Sequence, residues 1–357
     1  MRVFAIVTDA FGGRGGIACY NRHVLRAFSE SPLVTQVTAM PRLVVDPVGV
    51  LPLKLRFPIT SASGKWHFVC SALRHLFRPA DVVFCGHINL LPLGVFMALL
   101  WRAPLILQVH GIDAWVAPKP LVKRLIRHVS EIWSVSRHTR DRMNVWAGLP
   151  ESRYRVIPNT IALSDFSPDA SPEPFPVLME LEHARVMLTL ARLDARERYK
   201  GIDELLEALP GLLADVPELV YVIAGEGDDS LRLAAKAQAL GVGDQVRFIG
   251  YVSEHEKLSW LRRADVFAMP GRGEGFGIVY LEAMACGTPV IGSVLDGSRD
   301  ALLDGELGQL VNPDDRRQLH DAVLAALSLG KRRPPGLEVF DWPCFRERVH
   351  DALERFA

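Results

Sequence analysis

Short apolar segments alternate with longer helical patterns along the whole chain. A helix is predicted near Ile17–Ser29. The apolar segments predict strands at Val3–Val7, Asp81–Cys85, Leu105–Val109, Ile132–Ser134, Val186–Ala191, Leu219–Ala224, Val246–Ile249, Val266–Ala268 and Pro289–Gly292. Strands that alternate with helices favour parallel sheets covered by helices on both faces. The pattern therefore predicts an α/β protein.

The chain is long enough for two domains, since 357 residues can build two cores of ordinary size. The segment Ile161–Pro176 is rich in proline and serine, a composition that interrupts regular structure and suits a linker. We therefore predict domains at residues 1–163 and 177–340. Residues 341–357 have the pattern of an amphipathic helix.

The longest apolar run extends from Leu90 to Trp101 and is followed by Arg102. Its twelve residues are too few to span a bilayer. The run predicts a buried helix that leads into the strand Leu105–Val109.

Composition indicates a globular protein in a reducing compartment. Apolar residues make up 49% of the chain and charged residues 23%, which are ordinary values. The five cysteines are scattered without a C-x-x-C pair, so neither a disulfide framework nor a zinc site is indicated. The first strand follows Met1 almost directly, and no secretory signal is apparent. We expect a cytoplasmic location.

A net charge of zero hides an uneven distribution. Residues 1–160 contain 20 Lys and Arg against 8 Asp and Glu, whereas the remainder contains 21 against 33. Two interpretations remain open: the halves attract each other across a cleft, or the basic half docks on an anionic surface such as lipid headgroups. The segment Val48–Phe68, which mixes apolar with basic residues, suits a membrane-facing loop and helix or the core packing of a mobile segment.

The most informative segment is Gly273–Ile291. Glu274 and Glu282 are eight residues apart, and a helix that starts near Gly277 would place Glu282 in its first turns. Gly275 and Gly277 allow the backbone to approach a ligand, and free amides at a helix start suit a diphosphate. The segment predicts a nucleotide-sugar pocket. The alternative is that both glutamates are solvated surface charges.

This segment resembles the E-x7-E signature of the retaining glycosyltransferases of family 4, and the resemblance covers most of the chain. It implies the GT-B fold, with two Rossmann-like domains whose parallel sheets face a central cleft. In relatives the final helix crosses back to the first domain. The implied reaction moves a hexose from a nucleotide-diphosphate sugar to a saccharide or lipid-linked saccharide in cell-surface polysaccharide synthesis, such as that of lipopolysaccharide. A UDP-sugar is the favoured donor and GDP-mannose the alternative.

The resemblance also implies roles for individual residues. His110 and Glu274 would position the transferred sugar, Arg192 and Lys200 would bind the diphosphate, and Glu282 would hold the ribose hydroxyls. Gly15 and Gly16 would cover the donor. The remaining donor-binding positions are Gly225, Val252, Gly275, Phe276 and Gly277.

The first half of the chain contains two further motifs. The glycines from Gly12 to Gly16 follow the first strand, but no acidic residue ends a second strand about twenty residues later, so a dinucleotide-binding dehydrogenase is disfavoured. Arg14 in this loop would bind the donor or be solvated. His110 and His87 each follow a strand, where ligands bind in such folds, and His87 could face the acceptor. A histidine bonded to backbone is the alternative for His110.

No metal or organic cofactor is expected. No Asp-x-Asp motif stands at a strand end, and Asp228-Asp229 is interpreted as a helix N-cap. The resemblance implies front-face transfer, in which the acceptor attacks the face that the diphosphate leaves and a phosphate oxygen takes its proton. Peripheral attachment to the inner membrane face is a further expectation, and nucleic acid is not an expected partner. The alternatives are a GT-B epimerase or hydrolase and a non-catalytic sugar-nucleotide binder.

Overall fold

The structure is a computed structural model that describes residues 1–58, 64–168 and 176–357. The side chains of residues 65–67 and 176–177 lie outside this description, as do residues 169–175 of the predicted linker and residues 59–63 of the segment considered for membrane contact. The chain forms two compact units. One comprises Met1–Thr160 with Trp342–Ala357, and the other comprises Ile161–Asp341.

The first unit is built on a parallel sheet. Its strands are β1 (Arg2–Val7), β2 (Gln36–Pro41), β3 (Leu55–Arg56), β4 (Val82–Cys85), β5 (Leu105–Val109), β6 (Glu131–Ser134) and β7 (Tyr154–Val156). Their spatial order in the described residues is β3-β2-β1-β4-β5-β6-β7. The helices are α1 (Gly16–Glu30), α2 (Gly64–Leu73), α3 (Leu91–Trp101), α4 (Ile112–Trp115), α5 (Pro120–Leu125) and α6 (Arg137–Ala147). The order reverses between β1 and β4, as it does in doubly wound folds.

The second unit repeats this architecture. Its strands are β8 (Arg185–Leu190), β9 (Leu219–Ala224), β10 (Val246–Gly250), β11 (Val266–Ala268), β12 (Val290–Ser293) and β13 (Gln309–Val311), in the spatial order β10-β9-β8-β11-β12-β13. The helices are α7 (Pro176–Glu180), α8 (Ile202–Asp215), α9 (Ser230–Ala239), α10 (Glu254–Arg263), α11 (Ile278–Ala285), α12 (Ser298–Ala301) and α13 (Arg316–Ser328). Two Rossmann-like sheets of parallel strands confirm the predicted fold class.

The last helix, α14 (Trp342–Glu354), packs on α1 within the first unit. The ring of Phe345 meets that of Tyr20 edge to face at 5.8 Å, and the Arg26 guanidinium lies 4.4 Å from the Trp342 ring. The imidazole of His350 contacts the carbonyl oxygen of Ala27 at 2.9 Å through Nε2. Aromatic and cation–π contacts therefore anchor the end of the chain to α1.

The strands that sequence patterns missed lie mostly at sheet edges. Each of the nine predicted strands occurs, and β5, β9 and β11 have the predicted bounds. The predictions omitted β2, β3, β7 and β13, of which all but β2 are edge strands. An edge strand pairs on one side only and can be short and polar, so it lacks the apolar run that marks a central strand.

The prediction of a buried helix at α3 is correct for one side of the helix only. Phe96, Leu99 and Leu100 are 48%, 59% and 51% exposed, whereas Val95 and Met97 are buried. A single helix layer covers this face of the sheet, so the outer side of an all-apolar helix stays open. No helix within the described ranges is both long and apolar enough to cross a membrane.

Candidate active site

The loop from Pro270 to Gly277 lies between the carboxyl end of β11 and the start of α11, where doubly wound folds bind ligands. The helix begins at Ile278, as predicted, and Gly277 is its N-cap with a φ of 86°. A Cβ at Gly277 would lie 2.3 Å from the Tyr280 ring, so only glycine fits there. The Tyr280 hydroxyl donates to the carbonyl oxygen of Met269 at 2.7 Å and thereby joins α11 to the residues just before the loop.

Glu274 and Lys200 form an ion pair beside this helix start. The Nζ atom of Lys200 donates to Oε2 of Glu274 at 2.8 Å, although the residues are 74 positions apart in the chain. Both side chains are mostly buried. Burial lowers the pKa of Lys200, but the Glu274 carboxylate outweighs it, so the pKa lies above its ordinary value. Lys200 therefore remains a fixed cation at neutral pH.

Asp296 holds the loop in place and was missed in the sequence analysis. Its Oδ2 accepts from the amide of Glu274 at 2.9 Å, while the amide of Gly297 donates to the Glu274 carbonyl oxygen at 2.8 Å. Its Oδ1 accepts from the amide and hydroxyl of Ser298 at 3.0 and 2.5 Å. Burial raises the pKa of Asp296 from 3.8 to about 6. The sequence signal that could have identified Asp296 was an Asp-Gly-Ser sequence shortly after a buried strand.

Glu282 is paired as well, with a lysine that sequence reasoning did not select. Nζ of Lys257 donates to Oε1 of Glu282 at 2.8 Å, and both side chains are mostly buried. Burial raises the pKa of Glu282, and Lys257 only partly offsets this. Lys257 lies in the first turn of α10, which opens with a capping box of Ser253 and Glu256. The S-x-x-E pattern at the start of α10 was the sequence signal that could have pointed to Lys257.

The start of α11 presents backbone donors. Among the described residues, the amides of Phe276, Gly277 and Ile278 have no hydrogen-bond acceptor. Such amides carry the partial positive charge of the helix N-terminus. The Glu274 loop and α11 thus carry two carboxylates and unsatisfied amides, and Lys200 is paired with Glu274 from a distant part of the chain. This combination suits an anionic, hydroxyl-rich ligand.

The glycines after β9 serve the protein's own backbone. Gly225 has a φ of 134°, and a Cβ there would lie 1.8 Å from the carbonyl oxygen of Ala191. Its amide donates to the Gly250 carbonyl oxygen at 2.7 Å. This close approach joins the ends of three strands, and the predicted contacts of Gly225 and Val252 with a nucleotide remain predictions.

Arg192 is placed differently from Lys200. Its side chain is 68% exposed, and its guanidinium forms an ion pair with Glu197 at 2.6 Å. Nearby, Arg196 pairs with Asp194 at 2.6 Å and is strongly exposed, which agrees with a surface role. Arg198 pairs with Asp229 at 3.0 Å, and its side chain is 54% exposed.

The interpretation of the adjacent aspartates as a helix N-cap was half right. Asp229 occupies the N-cap position of α9, but its carboxylate makes no capping bond to the helix amides. It binds Arg232 at 2.7 Å instead. The guanidinium groups compete successfully because a charged partner is stronger than a neutral amide.

His110 follows β5 in the first unit, as predicted. Its Nε2 lies 2.9 Å from the carbonyl oxygen of Gly86, and its backbone amide donates to Asp113 at 3.1 Å. The Tyr20 ring meets it edge to face at 5.4 Å. Burial lowers the pKa of His110 to about 3. The imidazole is therefore neutral, with the proton on Nε2 and the lone pair on Nδ1. The ring is bonded to backbone through Nε2, and its predicted contact with the transferred sugar remains a prediction.

Other first-unit candidates have structural partners. Nδ1 of His87 accepts from the amide of Asn89 at 3.1 Å and caps a short helical turn. Gly15, with a φ of 85°, is the N-cap of α1, which begins at Gly16. Arg14 forms an exposed ion pair with Asp46 at 2.7 Å. The predicted contacts of Gly15 and Gly16 with a donor remain untested. No group of three potential metal ligands occurs in the described ranges.

The fold of this chain is similar to that of several solved structures. One solved structure with a similar fold is Anabaena HepE in complex with UDP and glucose. Its TM-score is 0.76 at 17% identity, and the match covers 99% of this chain and 100% of that one. The second is the apo lipopolysaccharide outer core galactosyltransferase WaaB, with a TM-score of 0.75, 18% identity and full coverage of both chains. Two Rossmann-like units with these neighbours define the GT-B class.

Sequence relatives identify the family. Residues 15–165 match Glycosyltransferase Family 4, and residues 175–334 match Glycosyl transferases group 1. A GDP-mannose-dependent α-(1-6)-phosphatidylinositol monomannoside mannosyltransferase of Mycolicibacterium smegmatis is 32% identical over 272 residues, 71% of this chain and 70% of the relative. The chain therefore belongs to glycosyltransferase family 4. The phosphatidyl-myo-inositol mannosyltransferase of Mycobacterium leprae is 39% identical over 172 residues, which cover 48% of this chain but only 43% of the relative.

Proposed function

We propose that the protein transfers a hexosyl group from a nucleotide-diphosphate sugar to a saccharide or lipid-linked acceptor, with retention at the anomeric carbon. The observation that carries this proposal is the buried pair of Lys200 and Glu274, 2.8 Å apart, beside the unsatisfied amides at the start of α11. A hexose diphosphate has both kinds of group that this arrangement can bind: anionic oxygens and hydroxyl donors.

The charge of the leaving diphosphate explains why the site needs the cation of Lys200. As the sugar–phosphate bond breaks, negative charge grows on the phosphate oxygens, and fixed positive groups stabilise it. Lys200 and the amides of Phe276 and Gly277 supply that charge without a metal ion. Arg192 is exposed and can exchange its Glu197 partner for phosphate at little cost, since a surface ion pair contributes about 0–1 kcal/mol.

The carboxylates account for sugar and ribose recognition. Glu274 accepts from a hydroxyl of the transferred sugar, and Glu282 accepts from the ribose. A carboxylate left without its hydroxyl partner disfavours analogues that lack the group. For His110 we retain the role that the family resemblance implies, contact with a sugar hydroxyl. Its neutral ring can accept through Nδ1. An oxygen of the departing phosphate takes the proton of the acceptor hydroxyl.

GDP-mannose becomes the preferred donor. The sequence analysis favoured a UDP-sugar, but the relative that matches most of this chain is named as GDP-mannose-dependent. The UDP complex belongs to a neighbour at 17% identity, which supports the fold alone. Relatives named for phosphatidylinositol, inositol phosphate and glycogen act on polyhydroxylated acceptors, and we propose an acceptor of that kind in surface glycan synthesis.

Calorimetric titration of GDP, UDP and ADP in EDTA tests the donor. We expect GDP to bind most tightly, and GDP-mannose to be consumed only when an acceptor is present. Product NMR reports retention through the anomeric coupling. Consumption of sugar nucleotide without acceptor would instead identify a hydrolase or epimerase, and binding of none of the three diphosphates would contradict the proposal.

Lys200→Ala tests the cation. We expect kcat/KM to fall by roughly 100-fold or more, as when one transition-state donor is removed. The matched control is Lys236→Ala, because Lys236 is also a lysine of the second unit paired with a carboxylate, Glu207, at 2.7 Å. Lys200→Met combined with Glu274→Gln removes both buried charges and separates loss of function from loss of folding. Wild-type kcat/KM in a folded Lys200→Ala variant would refute the assignment.

A further inference from the structure

A cavity of about 500 Å³ lies on the first unit, away from the candidate active site. Arg2 and Phe4 line it, and both belong to the first half of β1. The strands of this sheet are parallel, so His87 and His110, which follow β4 and β5, lie at the opposite edge. Sites for small molecules typically measure about 300–1,000 Å³. The cavity is therefore large enough for a ligand of its own.

One face of the sheet forms the floor of this cavity. The strand register pairs Phe4 with Thr38 and Thr38 with Arg56, so these three side chains leave the sheet on the same face. Arg2 pairs with Gln36 two residues earlier in each strand and therefore shares that face. The floor thus combines an aromatic ring, a hydroxyl, an amide and two guanidinium groups, which can contact both polar and apolar parts of a ligand.

Three exposed arginines line the cavity: Arg2, Arg56 and Arg78. Within residues 1–58, 64–168 and 176–357, none of these guanidinium groups forms an ion pair with a carboxylate. When the Gln36 amide is turned so that its oxygen faces Arg56, that oxygen is a neutral acceptor 2.5 Å from Nε. The nearby Asp81 carboxylate accepts from the backbone amide of Arg2 at 2.6 Å. We call this site the arginine cavity, and it has an excess of positive charge.

The turn after α2 forms another wall of the arginine cavity. The ring of His75 lines the cavity, with its centroid 5.5 Å from that of Phe4. Burial and the charge of Arg78 both lower the pKa of His75, so its imidazole is neutral at neutral pH. Phe57 and Ala80 add buried apolar wall. Like charges around a cavity with apolar walls create a positive potential, which a bound anion would offset.

We propose that the arginine cavity binds a hexose phosphate at a site separate from that of the donor. Guanidinium groups bind phosphate through paired N–H donors. Thr38, Gln36 and His75 offer neutral hydrogen-bonding groups to sugar hydroxyls, and Phe57 offers apolar surface to the ring carbons. Inorganic phosphate would fill only part of the cavity and would leave these neutral groups without ligand contacts. The proposal does not depend on the transfer reaction.

Calorimetric titration of the full chain with mannose 6-phosphate and glucose 1-phosphate tests the proposal. The same titrations in Lys200→Ala exclude binding at the cation proposed for the donor diphosphate. We expect at least one hexose phosphate to bind both proteins at one site per chain, with affinity that falls as salt increases. Inorganic phosphate and free mannose should each bind at least about tenfold more weakly, because each lacks part of the contacts. The amide NMR shifts of Phe4, Thr38 and Ala80 should change on binding.

Substitutions locate the ligand within the cavity. Arg56→Gln combined with Arg78→Gln should weaken hexose phosphate binding at least about tenfold, since hydrogen bonds to charged groups are the stronger ones. Thr38→Val keeps the shape of the side chain and should weaken binding of the hexose phosphate but not of inorganic phosphate. The matched control is Arg317→Gln, at a strongly exposed arginine of α13, which should bind like the wild type. Both substituted arginines are exposed, so the variants should fold, and circular dichroism verifies this.

Four outcomes would overturn the proposal. Equal affinity for inorganic phosphate would mean that the cavity binds an adventitious ion only. No binding of either hexose phosphate, or binding that the paired arginine substitutions leave unchanged, would exclude this site. Loss of binding in Lys200→Ala would assign the ligand to the donor site. Sedimentation with phosphatidylglycerol vesicles that requires Arg56 and Arg78, without hexose phosphate binding, would identify a lipid headgroup as the ligand instead.

Discussion

Replacing Asp296 by Asn should change how the stability of the second unit depends on pH. Burial raises the pKa of Asp296 from 3.8 to about 6, so the folded protein binds this proton more tightly than the unfolded chain does. The stability that the proton contributes is therefore complete below about pH 4 and is lost as pH rises through about 6. The difference corresponds to about 3 kcal/mol, because one pKa unit is worth about 1.4 kcal/mol.

Asparagine keeps the size of the side chain and one acceptor but cannot ionise. The wild type should thus lose about 3 kcal/mol relative to Asp296→Asn between about pH 4 and pH 7. Other titrating groups are common to both proteins and cancel in the difference. Native-state hydrogen exchange of β12 amides, corrected for intrinsic rates, reports the free energy of opening this sheet.

Asp321→Asn is the matched control, since this carboxylate lies exposed on α13. Its difference from the wild type should stay within about 0.5 kcal/mol at every pH. If the difference between the wild type and Asp296→Asn were the same at both ends of the pH range, Asp296 would not be the buried, proton-binding clamp of the Glu274 loop described above.

Three further changes probe the site. Lys257→Met removes the cation beside Glu282, and burial already raises the pKa of that carboxyl. Donor affinity measured by calorimetry should therefore fall more steeply than in the wild type from about pH 8 to pH 6. Parallel pH profiles of the two proteins would contradict this pairing. Gly225→Ala should reduce the free energy of unfolding in urea by about 3 kcal/mol because its Cβ would meet a carbonyl oxygen at 1.8 Å, whereas Gly330→Ala meets no atom within 4 Å and should be tolerated. The ring-proton NMR shifts of His110 should stay constant from about pH 5 to pH 8, because its pKa is lowered to about 3; a titration in that range would show an accessible, solvated ring.

Local sequence signals determined much of the second unit's architecture. The apolar run Leu219–Ala224 predicted a strand with the observed bounds, and the glycine-rich turn predicted a helix start near Gly277, which is the N-cap of α11. Both depend on interactions within a few residues: burial of a central strand, and a positive φ that glycine adopts without strain. Glu274 and Glu282 were found for the same reason, since their spacing around that turn is itself local.

The tertiary structure decided which groups meet those carboxylates. Lys257 is 25 residues from Glu282, and Asp296 is 22 residues from Glu274, so no periodicity connects either pair. Lys200 was selected only because the family resemblance pointed to it. Parallel sheets bring strand ends together through long crossovers, and the partner of a buried charge is set by that topology.

The packing around a helix or strand could likewise not be predicted from the sequence. The apolar run of α3 predicts a helix correctly, but composition cannot tell how many layers will cover it. The edge strand β13 pairs on one side only and carried too weak an apolar pattern to be recognised. Sequence by itself thus determined most of the strands, the glycine-dependent turns and the family. Only the packing of the elements decided the charge pairs, the clamp and the open apolar face, because each depends on groups distant in the chain.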